Sequence, residues 1–158
     1  MRTQPISQGS DAWLAFRRSH FNASDAAAML GISPYKTRAQ LLQEYATGIV
    51  PEVDRATQAR FDRGHELEAA ARAKAEEIIG QELYPVVGTF DEWERLSASF
   101  DGLTMDESAV WEHKTLNAAI AEAVRAGGNA IPDYIKAQIQ QQLLVSGAEK
   151  ALFPLALP

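Results

Sequence analysis

Ser97–Lys114, SASFDGLTMDESAVWEHK, is the stretch whose reading decides the fold. Leu96 to Phe100 and Ala109 to Lys114 have the composition of core strands, and Asp101-Gly102 is a turn signal between them. Side chains alternate between faces on an extended chain, so Glu112 and Lys114 share one face and His113 takes the other. Asp101 stands at the end of the preceding strand. Carboxylate oxygens suit hard divalent cations. Phosphodiester hydrolysis needs a Lewis acid and an activated water, and a nearby lysine can orient that water and offset charge on the phosphate. A Glu-x-Lys pair is also common on solvated strands, where it is a surface ion pair of little energetic consequence. The apolar Val110-Trp111 before it and the Ser97–Leu103 stretch favour a core setting.

Upstream, the long helical pattern Arg55 to Ile79, ended by Gly80, adds a third acid. At about 100° per residue, Phe61, Ala75 and Ile79 fall within about 20° of Glu68, which places a carboxylate inside the apolar stripe. A buried acid needs a partner or a metal. The partner could be Arg72 at i+4; the metal reading joins Glu68 to Asp101 and Glu112. Neighbouring Glu66 reads as solvated and His65 as a packed or hydrogen-bonded side chain.

Helical spacing also marks Ser10 to Ser19, with Trp13 and Phe16 on one face and Arg17 following. A second helix is expected from Ala23 to Leu30, capped by Asn22 or Ser24 and stopped by Gly31. After a Ser33-Pro34 turn, a third runs from Thr37 to Ala46, with Leu41, Leu42 and Tyr45 apolar and Gly48 as its stop. Ile49 to Asp54 reads as a connector. Leu83 to Phe90 is a strand, Leu116 to Ala126 and Pro132 to Val145 are helices separated by Gly127-Gly128-Asn129, and Ala151 to Phe153 is a short final strand. Helices, then strands, then helices predict an α+β domain with a small mixed central sheet flanked by helices.

A length of 158 residues fits one domain, and 46% hydrophobic with 23% charged residues is ordinary globular composition. The absence of cysteine excludes a disulfide framework, thiolate zinc and a thiol nucleophile. A net charge of −6 argues against a protein that simply coats DNA, but suits clustered carboxylates around a divalent cation, which reverses the local field. No window approaches the roughly 18 apolar residues of a membrane span, and Met1 to Gly9 lacks a signal-peptide core, so a cytoplasmic location is expected.

Taken in order, several segments resemble the phage lambda-type exonuclease family, the YqaJ-like viral recombinases. They are Ser10–Arg17, Asn22–Gly31, Ser33-Pro34-Tyr35, Arg63–Glu68, Phe100–Leu103, Glu112-His113-Lys114 and Ala137–Gln140. The match spans roughly Ser10 to Val145. The resemblance implies a restriction-endonuclease-like core. It also implies a magnesium-dependent enzyme, with manganese as a substitute, that digests double-stranded DNA from a 5′ end. Asp101, Glu112, the backbone carbonyl of His113 and Glu68 would hold the metal, Lys114 would position the water, and Gln138 would sit beside the site. Arg17 and Ser24 would match the residues that hold the terminal 5′-phosphate, which agrees with the planar donor fork of arginine and with Ser24 at a helix start. Alternatively, Ser24 is a plain cap, Arg17 a surface residue, or Arg18 the true contact. The family also implies a homotrimeric ring and a single-strand annealing protein as partner.

This sequence departs from the family at Phe100, usually proline, at Asn22, usually threonine, and at Thr115-Leu116-Asn117, usually Cys-Pro at its start. It stops soon after Phe153, so residues 1–158 are expected to form one nuclease domain without the family's closing strand pair and helices. Three other readings remain: a different nuclease on the same core (Cas4-like, RecB-like or structure-specific), an inactive remnant that binds DNA or a partner, or a helical interaction module whose acids lie only on the surface.

Overall fold

In chain order the elements are β1 (Arg2–Gln4), α1 (Asp11–Ser19), β2 (Phe21–Asn22), a 3₁₀ turn (Ala23–Asp25), α2 (Ala26–Met29), α3 (Arg38–Thr47) and α4 (Arg55–Ile79). There follow β3 (Leu83–Phe90), β4 (Trp93–Thr104), β5 (Ala109–Trp111), α5 (Ala118–Arg125), α6 (Asp133–Ser146) and β6 (Lys150–Leu152). This computed structural model describes residues 1–50, 55–114, 118–127 and 131–153, with all their side chains except those of 56–66, 118–119 and 123–124. Residues 51–54 of the expected connector, Leu116, Gly128, Asn129 and the side chains of Phe61, His65 and Glu66 therefore lie outside the described residues.

The strands form one mixed sheet in the order β1-β3-β4-β5-β6. β1, β3, β4 and β5 pair antiparallel in turn, and β6 lies parallel to β5 after the α5–α6 crossover. β4 is central: β3 runs along one edge, while the other is shared by β2 at Leu96–Ser97 and β5 at Gly102–Leu103. The expected α+β class, with a small mixed sheet flanked by helices, is what the chain adopts.

Apolar burial explains the layering. Val86, Ala98, Phe100, Leu103 and Val110 from the sheet pack with Val145 of α6, Ala23 and Ala148. Ile120 of α5 and Ile135 and Ile139 of α6 form an adjoining cluster. Phe100 is fully buried in the first of these.

Helix ends follow the polar signals in the sequence. The Ser10 side chain caps α1 by accepting from the Trp13 N–H. Thr37 and Gln40 form a capping box on α3, which ends at left-handed Gly48. Ser33 Oγ accepts from the Tyr35 and Lys36 N–H groups, as its turn requires.

Several boundaries differ from expectation. The region 23–30 is a 3₁₀ turn and a four-residue helix rather than one helix, and neither Asn22 nor Ser24 caps it. Asn22 Nδ2 instead donates to the Arg17 and His20 carbonyls, at 2.9 Å each, and its Oδ1 accepts from Ser97 Oγ. Tertiary hydrogen bonds have taken over the residue that local propensity offered as a cap. Leu42 is exposed while Leu41 is buried, because α3 turns a narrow stripe inward. The short strands β1 and β2 lie in stretches too polar or too brief to show an alternating pattern.

The largest correction concerns Asp101-Gly102. It is no turn: β4 runs through it to Thr104, and the chain reverses at Met105–Ser108. There Asp106 Oδ1 accepts from Thr104 Oγ1 and from the backbone and hydroxyl of Ser108. Tyr84 and Val86 pair with Leu103 and Phe100, so β4 carries one extra residue at Asp101-Gly102, a β-bulge. Phe100 and Leu103 can then both reach the core although three apart. β5 ends at Trp111 rather than Lys114, although the Glu112 N–H still donates to the Leu152 carbonyl.

Candidate active site

The bulge, the end of β5 and one face of α6 bring the expected residues together. Glu112 is 2% exposed, and both its carboxylate oxygens are held. Oε1 accepts from Lys114 Nζ at 2.6 Å and from Gln138 Nε2 at 2.6 Å. Oε2 accepts from Gln142 Nε2 at 2.5 Å. Lys114 Nζ also donates to Gln138 Oε1 at 3.0 Å, closing a three-member ring of side chains. Glu112 and Lys114 thus share a face as alternation predicts, one residue beyond the assigned strand.

Asp101 joins through the backbone: its Oδ2 accepts from the His113 N–H at 2.8 Å. Burial, with the negative charges of Glu112 and then Glu68 beside it, pushes the Asp101 carboxyl up to about 7. The His113 N–H and the Lys114 ammonium pull the other way. Burial also holds the His113 imidazole below its usual range, and neither ring nitrogen has a hydrogen-bond partner among the described residues.

Glu68 lies on the inward side of α4, where Glu68, Ala71, Arg72, Ala75, Glu76 and Ile79 are half-buried and the positions between them exposed. The wheel placing Glu68 with Ala75 and Ile79 holds. Its carboxylate accepts from Arg72 Nη2 at 2.6 Å, the i+4 pairing that stood as the alternative to a metal role. Electrostatic influence on Asp101 and His113 places it near the same centre.

Among the described residues, no three His, Asp or Glu side chains converge closely enough to hold an ion. The charges of Glu112 and then Glu68 nonetheless add to burial in raising the Asp101 carboxyl. The donor set still fits a hard divalent cation: it is all oxygen, and the Asp101 carboxylate, whose charge burial and two neighbouring acids disfavour, is one that a cation would stabilise.

A second cluster lies on the N-terminal elements. Arg17 Nη2 donates to Ser24 Oγ at 2.8 Å, lies 3.9 Å from Asp25 Oδ2, and its guanidinium sits 4.6 Å over the Trp13 ring. The structure therefore brings Arg17 and Ser24 together. Ser24 stands in a 3₁₀ turn before a four-residue helix, not at a helix start as expected, so its hydroxyl is what it offers to an anion. A cavity of about 330 Å³ beside them is lined by Arg17, Arg18, Lys36, Asp25, Glu44 and Tyr45, among others. Burial and the Asp25 charge raise the Tyr45 hydroxyl to about 12, and it donates to the His20 carbonyl at 2.7 Å.

The family model for the YqaJ-like viral recombinase domain matches residues 12–149. The chain belongs to the YqaJ-like viral recombinase family. A protein of African swine fever virus is 31% identical over 163 residues, covering 88% of this chain and 46% of its own, so the chain spans about half that relative's length. Among solved structures, the alkaline exonuclease LHK-Exo from Laribacter hongkongensis matches with a TM-score of 0.69 and 26% identity, over 94% of this chain and 76% of its own. The same protein in complex with dAMP matches with a TM-score of 0.71, at equal identity and coverage.

Within this YqaJ-like domain, the sequence reading missed Gln142. The signal was present, since Gln138 and Gln142 are four apart and share a helix face. It also missed that Trp13 is tied to β4, through Nε1 donating to Ser99 Oγ at 2.9 Å. Nothing local marks that pair, which lies 86 positions apart in sequence.

Proposed function

We propose that this chain is a divalent-metal-dependent exonuclease that digests double-stranded DNA from a 5′ end in phage-type recombination. Its family membership and its likeness to an alkaline exonuclease support the exonuclease class. The observation that carries the reading is a buried carboxylate, Glu112, held by Lys114 and Gln138 beside an aspartate whose charge burial and two neighbouring acids disfavour. Surface Glu-x-Lys pairs are not buried in this way.

In this reading Asp101, Glu112, the His113 carbonyl and Glu68 hold Mg²⁺, for which Mn²⁺ can substitute. The bound cation supplies a Lewis acid for the scissile phosphodiester. Lys114, already within hydrogen-bond reach of Glu112 and Gln138, orients the attacking water and offsets charge developing on the phosphate. Gln138 fixes the Lys114 ammonium through its carbonyl and Glu112 through its amide. Arg17 and Ser24, 2.8 Å apart, hold the terminal 5′-phosphate. Among the described residues no helix is long and apolar enough to cross a membrane. Assembly as a homotrimer and cooperation with a single-strand annealing protein belong to the same proposal, as do a cytoplasmic location and a single nuclease domain over residues 1–158.

The test is digestion of 5′-phosphorylated linear duplex against closed circles, with Mg²⁺ or Mn²⁺. Linear duplex should be degraded and circles spared. Glu112→Gln and Lys114→Ala should each lower the rate about 100-fold or more, the usual scale for losing one electrostatic contribution to a transition state. Cleavage of circles at the same rate would favour an endonuclease on this core. A wild-type chain inert on every form of DNA would favour the binding remnant.

A further inference from the structure

We propose that Gln142 is a positioning residue that sets the orientation of Glu112, a role that rests on the nuclease reading above. Gln142 is fully buried on α6, one helical turn beyond Gln138. Its amide nitrogen has two hydrogens and both are used: one goes to the Ser99 carbonyl at 3.1 Å, the other to Glu112 Oε2 at 2.5 Å. The amide cannot be turned over without setting its oxygen against both the Ser99 carbonyl and the Glu112 carboxylate. Its Oε1 has no hydrogen-bond partner among the described residues. A buried acceptor left this way costs stability, so the orientation is held by what the nitrogen does.

The other end of the bridge is rigid. Ser99 lies on the central strand, paired with Val87 of β3, with its hydroxyl tied to the Trp13 indole. Glu112 follows β5, where the ladder runs out. Gln142 therefore ties the carboxylate just past the end of β5 to the backbone of β4. Lys114 and Gln138 hold Oε1, and Gln142 holds Oε2; removing it leaves the carboxylate able to rotate out of its plane.

Satisfying the Ser99 carbonyl would by itself be a purely structural role, and Gln141 supplies the matched control. It is buried on the same helix, and its Nε2 donates to two carbonyls, Phe21 at 2.7 Å and Ser97 at 3.0 Å, without touching Glu112. Partners that hold a ligating carboxylate typically change metal affinity or activity by about 10- to 100-fold when removed. Gln142→Leu should accordingly lower kcat by about 10- to 100-fold with KM for linear duplex within about twofold. It should also weaken binding of Mn²⁺ alone, measured by calorimetry, by about tenfold or more. Gln141→Leu, assayed below its melting temperature, should lose stability and keep both kcat and Mn²⁺ affinity. Should Gln142→Leu not fold, Gln142→Asn, which keeps the amide but is one methylene shorter, carries the same expectation. A Gln142 variant with wild-type kcat and Mn²⁺ affinity, or a Gln141→Leu that loses them equally, overturns the proposal. A wild type that cleaves no DNA sinks the nuclease reading, while the ratio of Mn²⁺ affinities still decides the role of Gln142.

Discussion

At the residue scale, Asp101 shows how a site can be organised against the stability of its own fold. Its carboxyl rises from 3.8 to about 7 because burial and two neighbouring acids disfavour its charge. The folded protein therefore holds that proton more tightly than the unfolded chain, and stability present below about pH 4 is lost as pH rises through about 7. Asp101→Asn keeps an oxygen for the His113 N–H and removes the repulsion. In metal-free buffer at pH 8 it should melt roughly 3–6 °C higher than wild type, equivalent to about 1–2 kcal/mol, while nuclease activity is lost. Scanning calorimetry and a digestion assay read the two effects. A lower melting temperature would show that the acids do not repel as their placement implies.

At the scale of elements, the bulge in β4 is the device that delivers Asp101. Gly102 is required there by packing rather than by backbone angle. A Cβ on it would stand 3.0 Å from the Leu83 Cβ and 3.2 Å from the Trp111 ring. Gly102→Ala should cost about 1–3 kcal/mol, the range for overpacking, and lower activity at temperatures where the protein remains folded, because Trp111 leads directly into Glu112. Thermal melts paired with steady-state rates check this, and an alanine tolerated in both would mean the β4–β5 packing is looser than it stands. The sequence signal at Asp101-Gly102 was real but ambiguous: a glycine inside a strand marks a bulge as readily as a turn, and pairing with β3 decides between them. Nor can local pattern tell that Asn22 abandons capping for the Arg17 and His20 carbonyls.

At the scale of the whole molecule, the candidate site depends on a long path through the chain. Glu68 comes from α4, Asp101 from β4, Glu112 from the end of β5, and Gln138 and Gln142 from α6. A ligand that binds this assembly and not the unfolded chain must stabilise it by mass action. Mg²⁺ at about 100 times its dissociation constant should add about 2.7 kcal/mol, a rise of roughly 5–10 °C in melting temperature that a chelator reverses. Glu112→Gln should abolish most of that shift. An unchanged melting temperature with Mg²⁺ or Mn²⁺ would count against a metal centre in this chain.

Residue chemistry and periodicity by themselves determined the fold class, most helices, the long β3 strand, the shared face of Glu112 and Lys114, and the inward helix face of Glu68. These are consequences of local spacing, which the 3.6- and 2-residue repeats of the backbone print directly into the sequence. Tertiary structure alone decided that Asp101 sits on a bulge and that Asn22 Oδ1 accepts from Ser97 Oγ. It alone decided that Gln142 bridges Ser99 and Glu112. Those outcomes turn on which buried groups meet between segments well separated in the chain, 30 positions apart for Gln142 and Glu112. Close packing settles that competition, and no local window of sequence contains both partners.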